Sequence, residues 1–324
     1  MKAIIPAAGI GTRLRPHTHT APKALLHVAG KPILGHILDE LRAFGISDVV
    51  FVVGFLGEKI VEYVNKNYRI KATFVEQQEL KGLGWAIYLT REFLNEEPVL
   101  IILGDTIFET DLGSVIKGQY DSIGTKVVSD PRRFGVAVTE GKFITSLVEK
   151  PESPVSNQAI VGIYYIKSTG LFKKSLEELI DRGITTKGEY QLTDALGLMV
   201  KHGCQMTTFP VDGWYDCGKP ETLLSTNRQL LDKLDQQKAP NGTVIIPPVF
   251  IAPDATIERS VIGPYATVAD GAIVEDSIIR NSILSNGARV YSSLLEESII
   301  GNNAQVKGNF NKMNVGNSSE INYK

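Results

Sequence analysis

The sequence predicts an α/β protein with a doubly wound, mostly parallel sheet, followed by a parallel β-helix. Three observations lead to this fold class. Short apolar runs alternate with amphipathic helical stretches from residue 1 to about 210, a polar breaker cluster follows at residues 236–242, and apolar residues recur six positions apart beyond it. The chain is therefore predicted to contain one domain over residues 1–238 and a second over residues 239–324.

The first domain begins with an apolar strand, a helix and a second strand, predicted over residues 2–6, 32–44 and 48–53. The runs at 49–53 and 98–103 are continuously apolar, as is typical of parallel strands that are buried on both faces. Because ligands of such sheets bind beyond the carboxyl ends of the strands, we expect a site at the residues that follow these strands.

The later part of the first domain has a different pattern. Residues 134–138, 143–148 and 158–166 alternate more between apolar and polar positions, which predicts a smaller antiparallel or mixed patch that could receive a second substrate. A leucine-rich helix at about 219–235 is predicted to end the domain.

The second domain has hexapeptide periodicity, which indicates a parallel β-helix. The aliphatic pairs that are six residues apart are Ile251/Ile257, Ile262/Val268/Val274, Leu284/Val290 and Ile300/Val306. A serine followed by two aliphatic residues also recurs, at Ser260, Ser277, Ser282, Ser293 and Ser298. Resemblance to hexapeptide-repeat proteins implies a left-handed coil, and an ordinary β-sandwich is the alternative.

The loop over residues 7–25 packs two glycines, two arginines and a lysine behind the opening strand. Gly9 and Gly11 allow positive φ and leave no Cβ between the main chain and a bound oxygen, so successive N–H groups can converge on phosphate. Arg13 adds a planar donor fork, and Lys23 adds a mobile point charge. The loop predicts a site for a nucleoside triphosphate, whereas a plain strand-to-turn loop is the structural alternative.

Gly-Ile-Gly-Thr-Arg-Leu-Arg-Pro at residues 9–16, followed by Pro22-Lys23, resembles the signature of the sugar-1-phosphate nucleotidylyltransferases. The resemblance extends to about residue 235 and implies the nucleotide-diphospho-sugar transferase type of α/β fold. Gln77 and residues 82–84 resemble the base-recognition loop of that family. The nucleotide-binding residues that the resemblance implies are Ala7, Ala8, Gly9, Gly11, Thr12, Arg13, Gln77 and Gly82.

Two aspartates are candidate metal ligands. Asp105 directly follows an apolar strand, and Asp216 lies in Trp-Tyr-Asp-Cys-Gly, far away in sequence. Two hard oxygen ligands beside a triphosphate would suit Mg²⁺, which prefers carboxylates, phosphate oxygens and water. Each aspartate alone could equally be a turn or cap residue, and the family resemblance is what implies that both bind Mg²⁺.

Glu149-Lys150-Pro151 resembles the family motif in which the glutamate meets sugar hydroxyls and the lysine meets the sugar phosphate. Gly135 and Ile160 lie in segments that resemble the rest of the sugar pocket. The catalytic residues implied are Arg13 and Lys23, which would stabilise the departing pyrophosphate, and Lys150, which would aim the sugar phosphate. An exposed ion pair before a proline turn is the structural alternative for Glu149-Lys150.

The composition of the chain indicates which classes of partner to expect. A formal charge of −2 gives no bulk attraction to nucleic acid or to an anionic membrane, so we expect neither as a partner. The sequence has neither a signal core nor an apolar run of membrane-spanning length, which predicts a cytoplasmic protein. The expected partners are a nucleoside triphosphate, a sugar 1-phosphate and, because a β-helix has open ends and flat faces, further copies of the chain.

The motifs disagree about the substrates. Pro6-Ala7-Ala8 looks more like uridylyltransferases, whereas residues 130–135 and 214–221 look closer to thymidylyltransferases that carry a β-helix tail. Glucose-1-phosphate thymidylyl transfer is the preferred prediction, with uridylyl transfer and mannose-1-phosphate guanylyl transfer as alternatives. A regulatory homologue that only binds a nucleotide sugar is the alternative from another class. Acetyl transfer by the β-helix is disfavoured because its sequence contains no histidine.

Overall fold

The structure is a computed structural model that describes residues 1–235 and 242–308. Contacts within the chain define two compact units, Met1–His27 with Lys31–Thr226 and Val28–Gly30 with Asn227–Lys324. The predicted domain boundary between residues 238 and 239 lies outside the described residues. We refer to the first as the catalytic unit, after the role that the sequence predicts for it, and to the second as the coil unit.

Strands alternate with helices over much of residues 1–231, as the sequence predicts, whereas the four strands between residues 121 and 166 follow one another without a helix. The strands are β1 (Lys2–Pro6), β2 (His27–Val28), β3 (Lys31–Pro32), β4 (Asp48–Val53), β5 (Lys71–Glu76), β6 (Val99–Ile102), β7 (Thr106–Glu109), β8 (Asp121–Val127), β9 (Gly135–Glu140), β10 (Phe143–Glu149), β11 (Gln158–Ile166), β12 (Met206–Pro210) and β13 (Gly213–Asp216). The α-helices are α1 (Ile33–Ala43), α2 (Gly57–Asn67), α3 (Leu83–Tyr88), α4 (Leu112–Ile116), α5 (Thr169–Asp181), α6 (Leu192–Lys201) and α7 (Pro220–Leu231). Short 3₁₀ helices occupy Thr12–Leu14, His17–His19, Lys23–Leu25 and Arg91–Phe93.

Nine strands form one sheet in the order β5-β4-β1-β6-β11-β8-β12-β10-β9. The pairings from β5 to β6 are parallel, but β11 pairs antiparallel with both β6 and β8. The prediction of a mostly parallel sheet is therefore wrong for its second half, which is mixed. The antiparallel or mixed patch predicted over residues 134–138, 143–148 and 158–166 is confirmed, since β9 pairs antiparallel with β10 and with β11. Apolar periodicity reports whether a strand is covered on both faces and does not report its direction.

Helices on the sheet bury a continuous aliphatic core. β4 is buried from Val49 to Val53, and the apolar face of α1 buries Ile33, Leu34 and Ile37. β11 is buried along eight of its nine residues, so it does not alternate as expected, because a central strand is covered on both faces. The helix predicted at 219–235 ends at Leu231. This core fixes the strand ends on which the candidate site is built.

The coil unit consists of three parallel four-stranded sheets whose strands recur in turn along the chain. Their orders are β14-β17-β20-β23, β15-β18-β21-β24 and β16-β19-β22-β25. The strands are β14 (Val244–Ile245), β15 (Val249–Ile251), β16 (Thr256–Glu258), β17 (Val261–Ile262), β18 (Ala266–Val268), β19 (Ile273–Glu275), β20 (Ile278–Arg280), β21 (Ile283–Leu284), β22 (Arg289–Tyr291), β23 (Leu294–Glu296), β24 (Ile299–Ile300) and β25 (Gln305–Lys307). Uniformly parallel repeats fit a β-helix and do not fit the alternative β-sandwich, whose sheets are antiparallel.

Each coil of this unit is slightly shorter than three hexapeptides. Val261 pairs with Ile278, 17 residues later, and Ile278 pairs with Leu294, 16 residues later. The serines singled out in the sequence join successive coils: the Ser277 amide donates to Ser260 Oγ and the Ser293 amide to Ser277 Oγ, each at 3.0 Å. The recurring serines therefore satisfy backbone groups at equivalent places in neighbouring coils.

No helix in the described part of the chain has both the length and the apolar character needed to cross a membrane.

Candidate active site

Two adjoining cavities open beyond the carboxyl ends of β1 and β6, where the sequence predicts a site. The first cavity, of about 330 Å³, is lined by residues that follow both strands, including Gly9 and Gly104. The second cavity, of about 470 Å³, extends towards β9, β10 and α6. Leu83, Leu103 and Asp105 line both cavities, so one carboxylate lies at their junction.

The first cavity brings together most of the predicted nucleotide-binding residues. They are Ala7, Ala8, Gly9, Gln77 and Gly82, and the cavity also contains Lys23, which was predicted to be catalytic. Open space surrounds the position where Gly9 would carry a Cβ, so a ligand can approach its main chain closely. Gln77 is buried, and its Nε2 donates to the Glu79 carbonyl oxygen at 3.1 Å. This cavity offers main-chain groups, an amide and an apolar wall, the surroundings expected for a nucleobase and its sugar.

Position 82 requires a glycine because of its backbone conformation and the close approach of another segment. Its φ is 104°, and a Cβ there would lie 2.5 Å from the Tyr190 carbonyl oxygen. The Tyr190 amide donates to the Lys81 carbonyl oxygen and the Gly84 amide donates to the Tyr190 carbonyl oxygen, each at 2.8 Å. The loop of the first cavity is thus fixed to a segment whose next residues line the second cavity.

Lys23 and Asp105 form an ion pair at the junction. Lys23 Nζ lies 2.5 Å from Asp105 Oδ2, and the lysine is 9% exposed. Gly11, at φ 69°, lets the loop fold back here, since its Cβ would lie 3.2 Å from Lys23 Cβ. Gly11 and the exposed Thr12 lie outside the lining of both cavities. These two predicted nucleotide-binding residues therefore shape the loop in this structure and do not face either cavity.

A two-stranded ribbon brings the two predicted metal aspartates together. β7 and β13 pair antiparallel, with Asp216 opposite Thr106, and the Cys217 amide donates to the Asp105 carbonyl oxygen at 3.4 Å. Both aspartates line the second cavity. Cys217 itself is buried, which raises the pKa of its thiol to about 12, so it is a structural thiol.

The second cavity contains Gly135, Glu149 and Ile160, the predicted sugar-side residues, together with Arg13. Thr193 Oγ1 donates to Glu149 Oε2 at 2.7 Å and so fixes the carboxylate. A Cβ on Gly135 would lie 2.9 Å from that same oxygen, which explains the glycine.

Lys150 is placed differently from expectation. It lies outside the lining of both cavities, and its Nζ lies 3.5 Å from Glu149 Oε1. Its φ of 44° is in the left-handed region, an uncommon conformation for a residue with a long side chain. Such a conformation at a candidate functional site supports a role for the residue there.

Sequence reasoning missed several residues of the second cavity. Lys219 and Arg133 add two cations, and Gln191 and Tyr164 add polar groups. Burial raises the pKa of Tyr164, so it remains a neutral phenol. Lys219 and Arg133 lie within three residues of Asp216 and Gly135. Their closeness to the motifs is a sequence signal, but the fold is needed to show that they line the cavity.

The two tryptophans have different surroundings. Trp214 lines the second cavity and packs edge-on against Phe134, with ring centroids 4.9 Å apart. Trp85 stacks on Tyr88 with centroids 5.4 Å apart and lines neither cavity. Trp214 alone of the two is available to a ligand of these cavities.

The two aspartates suit a divalent metal ion that takes its other ligands from a substrate. Asp216 is exposed and Asp105 keeps 41% of its side chain accessible. In the described part of the chain, no three acidic, histidine or cysteine side chains form a complete metal cage. Two carboxylates without a cage match Mg²⁺, which is usually bound by one or two carboxylates, phosphate oxygens and water.

Comparison with known proteins gives the family. Residues 2–233 match the family model described as nucleotidyl transferase, and the chain belongs to this family. The prediction of a sugar-1-phosphate nucleotidylyltransferase is thereby confirmed at the level of the family, whose members generally use a divalent metal ion.

Three relatives illustrate the similarity. A glucose-1-phosphate thymidylyltransferase of Streptomyces griseus is 32% identical over 315 residues, which covers 88% of this chain and 87% of that protein. The bifunctional protein GlmU of Methanocaldococcus jannaschii is 39% identical over 238 residues, or 72% of this chain and 55% of that protein. The chain thus spans about half the length of that relative. A solved UDP-glucose pyrophosphorylase complexed with UDP-glucose has a TM-score of 0.63 and 27% identity, covering 72% of this chain and 99% of that one.

Proposed function

We propose that the protein transfers a nucleotidyl group from a nucleoside triphosphate to a sugar 1-phosphate, giving a nucleoside-diphosphate sugar and pyrophosphate. The observation that carries the proposal is the pair of cavities that meet at Asp105, with Asp216 beside it. One cavity has the main-chain and amide groups suited to a nucleotide, and the other has the Glu149 carboxylate, whose side chain is 10% exposed, suited to sugar hydroxyls. A group transferred between two substrates must pass where their sites meet.

The chemistry needs positioning more than acid–base catalysis. An oxygen of the sugar phosphate attacks the α-phosphorus, and the bond from that phosphorus to the bridging oxygen of pyrophosphate breaks, with the electron pair leaving on pyrophosphate. A sugar 1-phosphate is already anionic at neutral pH, so no side chain has to remove a proton. The protein must instead hold two anions in line against their repulsion, which accounts for a site rich in cations.

Each charged residue has a proposed role in that task. Asp105 and Asp216 would hold Mg²⁺, which supplies positive charge beside the reacting phosphates. Arg13 and Lys23 stabilise the departing pyrophosphate, Lys150 orients the sugar phosphate, and Glu149 accepts hydrogen bonds from sugar hydroxyls. The Lys23–Asp105 ion pair keeps the lysine at the junction before substrate arrives.

We propose glucose 1-phosphate and dTTP as the substrates. The similarity to the Streptomyces griseus thymidylyltransferase extends over 88% of the chain and therefore includes residues of the coil unit. Glucose-1-phosphate uridylyl transfer is the second candidate, favoured by the likeness of the catalytic unit to a UDP-glucose pyrophosphorylase. Mannose-1-phosphate guanylyl transfer has no comparable support.

The coil unit has a proposed role in assembly, with its coil left-handed as its resemblance to hexapeptide-repeat proteins implies. An apolar column crosses one sheet, where Val244, Val261, Ile278 and Leu294 follow one another in register. Leu294 is 71% exposed and Val244 is 57% exposed. Since apolar surface of this kind is covered in assemblies, we propose that a second copy of the chain packs on it. A homo-oligomer measured by light scattering supports this role, and a monomer contradicts it.

The test of the proposed function is a matrix of dTTP, UTP and GTP against glucose 1-phosphate and mannose 1-phosphate, with pyrophosphate release as the readout. We expect release only with Mg²⁺, a triphosphate and a sugar 1-phosphate together, fastest for dTTP with glucose 1-phosphate. Turnover that is fastest with UTP would establish the second candidate. No turnover in any combination, together with tight binding of a nucleoside-diphosphate sugar, would establish a regulatory homologue instead.

A further inference from the structure

Three cations line the second cavity without a carboxylate partner among the described residues. They are Arg13, Arg133 and Lys219. Several other cations of the catalytic unit are paired: Arg132 binds Asp130 at 2.8 Å and Lys71 binds Asp48 at 2.9 Å. Unpaired cations that face a cavity together favour an anionic ligand there.

The charge available for pyrophosphate is smaller than the family resemblance implies. Lys23 is one of the two cations assigned to it, but its Nζ lies 2.5 Å from Asp105 Oδ2. Much of its positive charge is therefore already balanced by that carboxylate. Arg13 and the remaining charge of Lys23 would face a leaving group that carries more negative charge than a phosphate monoester, so a further cation beside Arg13 would strengthen its binding.

Lys219 is placed to be that cation. It follows Gly218, where a Cβ would lie 3.1 Å from Arg13 Nη2 and 2.8 Å from Asp216 Oδ1. Lys219, Arg13 and Asp216 thus come from one corner of the second cavity. The main chain of Lys219 is fixed there, because its amide donates to the Thr222 hydroxyl oxygen at 3.1 Å and its carbonyl oxygen accepts the Leu223 amide at 2.9 Å.

The position of Lys219 does not favour the stability of the helix that follows it. The residue directly precedes α7, whose 12 residues begin at Pro220. A cation at the start of a helix opposes the helix dipole, so acidic side chains are the stabilising choice there. A lysine that is unpaired and placed against the dipole is better explained by an anionic ligand than by folding.

We propose that Lys219 binds the departing pyrophosphate together with Arg13 and is a further catalytic residue. The inference rests on the proposed function, since it takes pyrophosphate as the leaving group. Lys219 supplies positive charge in place of that of Lys23, which Asp105 already balances. It contacts the β- and γ-phosphates of the triphosphate before the reaction and the pyrophosphate after it. The sugar phosphate does not use it.

The experiment compares the wild type with the Lys219→Met variant, both as full chains, in both directions of the reaction. The substitution keeps most of the length of the side chain and removes its charge. We expect the KM for pyrophosphate in the reverse reaction to rise about 10- to 100-fold, as befits the loss of a charged hydrogen bond. The forward kcat falls, and the KM for glucose 1-phosphate stays within about twofold. Lys219→Arg retains most of the activity because its charge can still reach the phosphates.

Lys174→Met is the matched control, since it removes an exposed lysine of α5 that lines neither cavity. An unchanged KM for pyrophosphate in Lys219→Met, or an equal rise in the KM for glucose 1-phosphate, overturns the proposal while leaving the proposed function intact. Calorimetric titration with magnesium pyrophosphate separates the two claims further. The wild type could turn over no substrate pair while Lys219→Met binds pyrophosphate more weakly than the wild type does. In that case Lys219 binds pyrophosphate and the proposed function fails.

Discussion

The second cavity of the catalytic unit and the surface of the coil unit differ in how their charges are paired. In the coil unit Arg259 is paired with both Glu258 and Asp276, and Arg280 with Glu296, so these charges neutralise one another along the surface. In the catalytic unit Arg13 and Lys219 face a cavity without such partners in the part of the chain that the structure describes. Charge that is satisfied internally serves folding, whereas charge that is left unsatisfied in a cavity is available to a ligand.

The largest expected difference between the two units is in kcat, when the same aspartate-to-asparagine change is made in each of them. Asp216→Asn should lower kcat by about 10²-fold or more, because it removes a charge that holds the metal ion beside the phosphates. Asp276→Asn makes the same chemical change in the ion pair with Arg259 and should leave kcat unaltered. Steady-state rates with dTTP and glucose 1-phosphate check both variants. Equal losses in the two would show that the metal assignment is wrong.

A smaller effect separates the two substrates within the catalytic unit. Arg13→Ala should chiefly weaken use of the triphosphate, and Lys150→Ala should chiefly raise the KM for the sugar 1-phosphate, each by about tenfold. Arg13→Lys should remain impaired because the planar fork of two donors is lost although the charge is kept. Initial rates with each substrate varied in turn provide the measurement, and identical profiles for Arg13→Ala and Lys150→Ala would refute the division of roles.

The coil unit should respond in stability and not in rate. Ser277 Oγ donates to the Glu275 carbonyl oxygen and accepts the Ser293 amide. Ser277→Ala leaves both groups without that partner in a buried place, so we expect a loss of about 1–3 kcal/mol in the free energy of unfolding. Denaturant unfolding and turnover are measured on the same preparation. Ser298→Ala, at a more exposed corner, is the control and should cost less.

The smallest effect on turnover is expected at the apolar column. Leu294→Lys places a charge on its most exposed residue and should disrupt packing by a second copy of the chain. Light scattering should report a lower oligomeric state, while kcat stays within about twofold. An oligomer of unchanged size would show that another surface mediates assembly.

The same contrast between the units explains what the sequence could predict. The coil unit repeats one pattern, so its parallel coils follow from the spacing of Ile262, Val268 and Val274. The glycine-rich loop and both aspartates could be predicted to lie at one site because their motifs are local, and their binding roles stay predictions. The alternating residues 158–166 also predicted an antiparallel or mixed patch. The position of β11 between β6 and β8 and the ribbon that joins Asp105 to Asp216 depend on pairing between distant segments, which the sequence pattern does not encode.

Lys219 was missed for a related physical reason. A lysine before a helix is ordinary in sequence, and only the structure brings it to the corner of the cavity that contains Arg13 and Asp216. Conversely, Gly11 and Thr12 lie within the recognised loop, yet their conformations shape the loop and do not line the cavities. A motif predicts where a site lies along the chain. The structure is needed to show which of its residues line the cavities.

The most direct test of the account is a crystal structure of the protein with the nucleoside-diphosphate sugar identified by the substrate matrix. We predict that the base lies in the first cavity against Gln77 and Gly82, that the sugar lies in the second cavity against Glu149, and that the diphosphate linkage crosses between them beside Asp105. A nucleotide sugar bound with its base and sugar both outside these cavities would contradict the account.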